Sequence, residues 1–372
     1  MKLHKKLLPK MDYTFLCLAM GLLFFGLIAL SSASSVMSFE RFGNNSYYFL
    51  RQLMFGAIPG LIFMFVLSRI DYHILQKFAP LLIIAGIFLL ILVLVPGIGF
   101  KVGNARRWIN LQYFLFQPAE YVKLAMIIYL ASWFDKRSRS AHDFYYGFLP
   151  SITIVGLVAG LIVLEPDIGT MLSLVLVAAV MFFIGGVRIR YLLSAGAAGL
   201  LVMWILIKAA PYRLQRIAAY FNPSVDPKGI SYQINQALLA IGSGGLWGNG
   251  FGQSRQKFNY LPEAIGDSVF AVISEELGFA RVLIIILLFL FLAIRGTKIA
   301  RFAPDNFGKL LAVGITSWIV IQALINIGGI TALIPLTGIP LPFISYGSTA
   351  LAVNLAGIGI LLNISRFSPI EK

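Results

Sequence analysis

Apolar runs of roughly 18–25 residues recur from one end of this chain to the other, each long enough to carry a helix across a bilayer. That feature constrains the fold more than any other. Backbone polar groups find no water inside hydrocarbon, so such runs must satisfy their hydrogen bonds as helices. The runs lie at about 13–33, 51–69, 78–96, 119–134, 147–164, 168–186, 190–208, 268–294, 308–331 and 346–365. They predict an all-α polytopic membrane protein with about ten transmembrane helices, forming a single integral domain over residues 1–372. Charged residues are 12% of the chain, where a soluble domain is nearer a quarter. The start, MKLHKKLLPKMDYTF and an apolar run, resembles a signal peptide. The run from Tyr13 to Ala33 exceeds the usual h-region of roughly 7–15 residues, so it is read as an uncleaved first helix.

Basic residues in short loops set the orientation. With the N-terminus in the cytoplasm, Lys2, Lys5, Arg69, Lys77, Arg188, Arg190, Arg295, Lys298 and Arg366 fall on the cytoplasmic side. An even number of spans places both termini there. The outer side then holds Lys101, Arg106 and Arg107 in one loop. It also holds a long extracytoplasmic loop, about 209–267 between helices 7 and 8, with Arg213, Arg216, Lys228, Arg255 and Lys257. A basic outer surface suits a phosphate-bearing partner or anionic lipid headgroups, and charge alone leaves both open. Nucleic acid is excluded as a partner, because no basic soluble domain exists to hold it. Cys17 can form no intramolecular disulfide and reads as a packing residue, while His4, His73 and His142 lack metal-ligand spacing.

Five stretches carry candidate chemistry. In NARRWINLQYFLFQPAEYVKLA, Glu120 and Lys123 are spaced i, i+3 on one helical face. Charges at that depth either orient helices or line a polar cavity. LEPDIGT puts Glu165 and Asp167 in a short turn. In the long outer loop, SYQINQALLAIG reads as an amphipathic surface helix. GSGGLWGNGFG, Gly242 to Gly252, reads as tight turns needing positive φ rather than a phosphate cradle, since no Gly-Lys-Ser/Thr follows. PLTGIPLPFISYGS has Pro335, Pro340 and Pro342 before Ser345 and Ser348, too dense in proline for a continuous helix. Irregular backbone at that depth either lines a cavity or is a plain outer loop. Finally, YLPEAIGDSVFAVISEELGF places Glu263 and Asp267 at the start of a span and Glu275 and Glu276 within it. Asp267 reads either as a helix cap or as a base at the water–membrane boundary. Glu275 and Glu276 read as structural acids held through Arg281 or other polar groups.

Together these motifs resemble the SEDS family (shape, elongation, division and sporulation), the group containing FtsW and RodA. The resemblance runs through nearly the whole chain, and GQSRQKFNYLPEA looks more like the division branch. It implies a peptidoglycan glycosyltransferase that polymerises lipid II on the outer face of the bacterial cytoplasmic membrane. It also implies a class B penicillin-binding protein and other divisome membrane proteins as partners. The family's essential aspartate maps to Asp267. Many relatives read His-Thr-Asp there, whereas this chain reads Ile265-Gly266-Asp267. The implied roles are Asp267 as general base, with Arg106, Arg107, Glu120, Lys123, Arg213, Arg216, Arg255, Lys257, Glu263, Ser345 and Ser348 around the substrate. The leaving diphosphate needs charge neutralisation, from arginines or from a divalent cation (Mg or Mn); no other cofactor is implied. Two rival classes remain at this point: a lipid II flippase, and a non-catalytic division scaffold. A flippase needs access from both faces, while the motif-rich loop lies on one.

Overall fold

Helix formation follows the apolar runs closely. In the computed structural model, which describes residues 11–102, 105–138, 140–208, 214, 220–221 and 229–367, a helical segment occupies each of the ten expected positions. Eight are long and apolar enough to cross a membrane. They are α1 (Tyr13–Phe42), α2 (Tyr47–Arg69), α3 (His73–Leu94), α5 (Phe144–Leu164), α7 (Ile189–Lys208), α9 (Val269–Arg301), α10 (Asn306–Ile330) and α11 (Ser348–Phe367). The other two are α4 (Pro118–Lys136), which carries Glu120 and Lys123 within it, and the shorter apolar α6 (Ile168–Ile184). A further helix, α8 (Ile230–Ser243), lies in the long loop. It turns Ser231, Ile234, Ala237 and Ala240 inward and leaves Leu238 and Leu239 exposed, the two-faced pattern its sequence predicts.

Burial is graded across the bundle. α7 has no buried residue, whereas almost all of α11 and most of α10 are buried. The last two helices are therefore the centre, and the site hangs from them. Without a hydrophobic force between helices in lipid, close packing decides the arrangement, and small residues permit it. A Cβ at Gly359 would lie 2.5 Å from the Met64 carbonyl oxygen, and one at Gly314 would lie 2.5 Å from the Ile127 side chain. α11 thus crosses α2 in near backbone contact, and α10 takes the Ile127 side chain of α4 against its bare Gly314.

Three details depart from the sequence reading. α1 continues through SSASS to Phe42, burying Ser32, Ser34 and Ser38 against the bundle. Cys17 is exposed on α1 rather than packed inside. The basic loop before α4 is a three-stranded antiparallel sheet, β1 (Gly99–Val102), β2 (Ala105–Asn110) and β3 (Leu115–Phe116), with Gly99 opposite Ile109 and Ile109 opposite Phe116.

One helix is broken on purpose. α9 is interrupted at Gly278, whose φ of 75° and ψ of 171° are not helical. The glycine-dense loop zips into the gap: Asn249 and Gly250 amides donate to the Glu275 and Glu276 carbonyls, and Phe279 and Ala280 amides donate to Gly245 and Leu246. Gly245, Gly248, Gly250 and Gly252 all have positive φ, as tight turns require. A Cβ at Gly248 would sit 2.2 Å from the Glu276 carbonyl oxygen, so only glycine allows this approach.

Candidate active site

Asp267 lies on the loop that leads into α9 and is 9% exposed. It is not the helix cap. Ser268 holds that position, without a side-chain cap bond. Instead the Asp267 carboxylate oxygen Oδ1 accepts from Gln233 Nε2 of α8 at 3.2 Å, and the Ser268 hydroxyl lies at 3.4 Å. Gln233 Nε2 also reaches Ser268 Oγ at 3.0 Å.

The backbone beneath Asp267 is strapped at three consecutive carbonyls. Ile265 O accepts from the Tyr346 amide at 2.8 Å, Gly266 O from Ser345 Oγ at 2.7 Å, and Asp267 O from Asn326 Nδ2 at 2.8 Å. On its own side the loop closes on Glu263, whose carbonyl accepts from the Gly266 and Ser268 amides. Glu263 itself is exposed.

The proline-rich segment after α10 supplies the opposite wall. It has no regular structure from Leu333 to Leu341 other than turns, and its carbonyls are met by side chains of α10. Asn326 Nδ2 donates to Ile339 O at 2.8 Å and Gln322 Nε2 to Pro340 O at 2.9 Å. Ser345 Oγ accepts from the Leu341 amide at 2.8 Å, and Gln52 of α2 bonds both Ser345 O and the Gly347 amide. Gly338 has a φ of 75°, and a Cβ there would stand 3.8 Å from Asp267 Oδ2. The Ile339 and Pro340 carbonyls and the Leu341 amide thus find protein partners, as irregular backbone buried in a membrane protein requires.

A buried ion pair continues the network downward. Lys123 Nζ bonds Glu120 Oε1 at 2.9 Å and Gln322 Oε1 at 2.8 Å, and sits 5.3 Å from the Trp318 ring centre. Glu120 and Lys123 are 1% and 2% exposed. Their i, i+3 pairing is as the sequence suggests, and Gln322 ties it to the proline-rich wall.

The other predicted residues are dispersed. Arg107 on β2 braces the turn between α5 and α6. Its guanidinium donates to the Glu165 and Pro166 carbonyls, with the Asp167 carboxylate 3.8 Å away. Arg106 is half-buried on the neighbouring strand position, opposite Lys101. Arg255 is exposed, and its backbone amide donates to Glu275. Lys257 is not on the outer surface. It is 5% exposed, with Nζ bonded to Glu276 Oε1 at 3.0 Å, Ser32 Oγ at 3.2 Å and Gly252 O at 2.8 Å. Ser348 begins α11, its backbone packed on Gly56. Arg213 and Arg216 lie outside the described residues. Glu276 is held by Lys257 and Ser32, and Glu275 by Ser254 and the Arg255 and Gln256 amides. Arg281 takes no part in either, since it bonds the Trp247 and Leu277 carbonyls. Proximity in sequence suggests Arg281 as their partner, but it lies beyond the Gly278 break and faces Trp247.

Glu165 is the unexpected member. It is fully buried and neither carboxylate oxygen has a hydrogen-bond partner. Burial, then the neighbouring Asp167 charge, pushes its carboxyl up to about 9 against the opposing pull of Arg107. The turn it occupies abuts the same proline-rich wall, because a Cβ at Gly169 would lie 2.6 Å from Thr337 O. Gln233, Gln322, Asn326 and Gln52 were also missed. The spacing of Gln322 and Asn326, four apart on an apolar helix, was the available signal. As for a divalent cation, no three His, Cys, Asp or Glu side chains converge among the described residues. The described residues therefore offer no cluster of protein side chains that would hold a metal by themselves.

A bundle of membrane helices that buries an acid at a polar rim, beneath a wall of irregular backbone, is a membrane protein with an internal polar site. The family model described as cell cycle protein, spanning FtsW, RodA and SpoVE, matches residues 12–369, and the chain belongs to that family. It is 44% identical to stage V sporulation protein E of Bacillus subtilis, over 96% of this chain and 97% of that one. It is 41% identical to a probable peptidoglycan glycosyltransferase FtsW of Trichlorobacter lovleyi, over 96% and 94%. Among solved structures, a chain of a peptidoglycan synthase complex, studied for coordination of polymerization and crosslinking, matches with a TM-score of 0.79. It is 26% identical and covers 97% of this chain and 99% of that one. Thermus thermophilus rod shape determining protein RodA matches at a TM-score of 0.71 and 27% identity, over 97% and 98%.

Proposed function

We propose that this protein is a peptidoglycan glycosyltransferase that polymerises lipid II, with Asp267 as its general base. The observation that carries the reading is the fixing of Asp267: its carboxylate is oriented by Gln233 and its backbone is strapped by Ser345 and Asn326. A positioned base raises the rate of a poor nucleophile, and a sugar hydroxyl is one. In the reaction, the GlcNAc 4-hydroxyl oxygen of one lipid-linked sugar bonds to the MurNAc anomeric carbon of another. The bond from that carbon to the diphosphate oxygen breaks, the electron pair leaves with the diphosphate, and the hydroxyl proton passes to Asp267. The leaving group is already a stable anion, so it needs positive charge more than a second acid. Arg106 and Arg255, both accessible, are the candidates for that role, together with Arg213 and Arg216, which the sequence of the long loop alone suggests. One displacement inverts the centre, turning an α-linked donor into a β-linked polymer.

The setting is the outer face of the bacterial cytoplasmic membrane, with both termini in the cytoplasm and a class B penicillin-binding protein crosslinking the product. The orientation is supported by basic residues at Arg69, Lys77, Arg188 and Arg295. The partner is supported by the synthase complex that the fold resembles. The test is reconstitution of the purified protein and its partner with labelled lipid II. Wild type makes polymer, and Asp267→Asn folds, binds the partner and loses at least about 100-fold in rate. Near-normal polymer from Asp267→Asn removes the base assignment. Translocation without polymer makes the protein a flippase, and neither activity makes it a scaffold.

A further inference from the structure

The Asn326 side chain, on α10, touches both walls of the site. Its two Nδ2 protons go to Asp267 O and Ile339 O, each at 2.8 Å. The reverse orientation of the amide would press its oxygen against two carbonyl oxygens, so the donor set is unambiguous. Asn326 is 2% exposed and lies one helical turn from Gln322, which holds the next carbonyl of the same wall, Pro340 O. α10 thus presents two amides, i and i+4, to successive carbonyls of the proline-rich segment, and one of them also reaches the Asp267 loop. Ser345 makes the reciprocal strap. It sits on the proline-rich side and donates to Gly266 O while accepting from Leu341. Neither contact involves the Asp267 carboxylate. Both set where it stands.

We propose that Asn326, seconded by Ser345, is a positioning residue for the reaction: it fixes the separation of the Asp267 loop from the proline-rich wall so that the carboxylate meets the attacking hydroxyl. The proposal rests on the glycosyltransferase reading above. Between the two irregular segments there is no ladder; one backbone bond, from the Tyr346 amide to Ile265 O, joins them, and these side chains supply the further ties that set their spacing. A displacement of about 1 Å in a reacting group costs on the order of 100-fold in rate. Such a loss appears in kcat, since substrate contacts away from the base are untouched.

The experiment measures kcat and KM for lipid II polymerisation by the full chain with its partner, alongside melting temperature and partner retention. Asn326→Ala is expected to lower kcat by about 10- to 100-fold with KM within about threefold. Ser345→Ala lowers kcat in the same sense, and Ser345→Thr, which keeps the hydroxyl, recovers most of it. Should Asn326→Ala fail to fold, the Ser345 pair decides alone: loss with alanine and recovery with threonine supports the proposal. Parental kcat in a folded Asn326→Ala or in Ser345→Ala overturns it. A raised KM at parental kcat also overturns it, since Asn326 would then be a substrate contact. Polymer from wild type with unaffected variants sinks this inference alone, whereas no polymer from wild type sinks the functional reading and takes this inference with it.

Discussion

Among the described residues two lysine–glutamate pairs lie buried, and they differ in what remains unbonded. Lys257–Glu276 is closed. Lys257 Nζ has three partners, and both Glu276 oxygens accept from Ser32 or Lys257. Lys123–Glu120 is open. Its lysine uses two polar partners and an aromatic face, and Glu120 Oε2 has no hydrogen-bond partner. A closed pair is what holding a fold requires: it ties α1, α9 and the glycine-dense loop into one unit. An open pair retains an acceptor for something else, and its lysine leads through Gln322 to the wall of the site. Equal burial and equal distance therefore do not imply equal work.

The largest expected effect comes from breaking the closed pair. Lys257→Ala strands Glu276 in the interior, and removal of one partner from a buried pair costs about 3–5 kcal/mol. The check is thermal unfolding in detergent, with a large fall in folded yield. The comparison sharpens with paired replacements that leave no lone charge. Lys257→Met with Glu276→Gln should recover folding and keep polymerisation. Lys123→Met with Glu120→Gln should recover folding and lose polymerisation, because the link to Gln322 is gone. If both double variants behave alike, the distinction between closed and open pairs is wrong.

A smaller effect tests the loop that the closed pair anchors. At Gly278 an added Cβ would stand 2.2 Å from the Gly248 amide nitrogen, on a residue with φ of 75°. Gly278→Ala should destabilise by about 1–3 kcal/mol, a typical cost of overpacking, and should loosen the segment above it. Protease cleavage within residues 244–258 is the readout. A variant as resistant as wild type would mean that the break in α9 does not need glycine.

Much of the fold was legible because hydrocarbon permits few answers: each apolar run became a helix, and their order followed. What was illegible came from contacts between distant residues. Nothing in SSASS tells that Ser32 meets Glu276, 244 positions away. Arg281 lies nearer to Glu276 in sequence, but the positive φ at Gly278 swings it to Trp247. In the site, Asp267, Ser345, Glu120 and Lys123 were marked by being polar where polarity is costly. Gln322 and Asn326 escaped because they carry no charge and stand singly among apolar residues, although they hold the walls. Lys257 was assigned to the surface from its place in a basic loop, and its burial depends on a glutamate supplied by the next helix.

The smallest expected effect concerns the acid that has no lysine at all. Glu165 sharpens the comparison because it shows what a buried carboxyl does unpaired: it keeps its proton. Arg107 stands beside it but donates to its backbone carbonyl and not to its carboxylate. Its pKa rises from the ordinary 4.5 to about 9, chiefly through burial. The folded state therefore holds a proton that the unfolded state has released, and stability from this group falls as pH rises. It is complete below about 4.5 and is lost across the interval up to about 9. Glu165→Gln keeps the shape and a neutral side chain at every pH. Wild type and variant should melt together near pH 4, and the variant should hold its melting temperature better towards pH 9. Parallel melting curves throughout would mean that Glu165 is ionised when folded, and that a partner compensates its charge as Lys257 compensates Glu276.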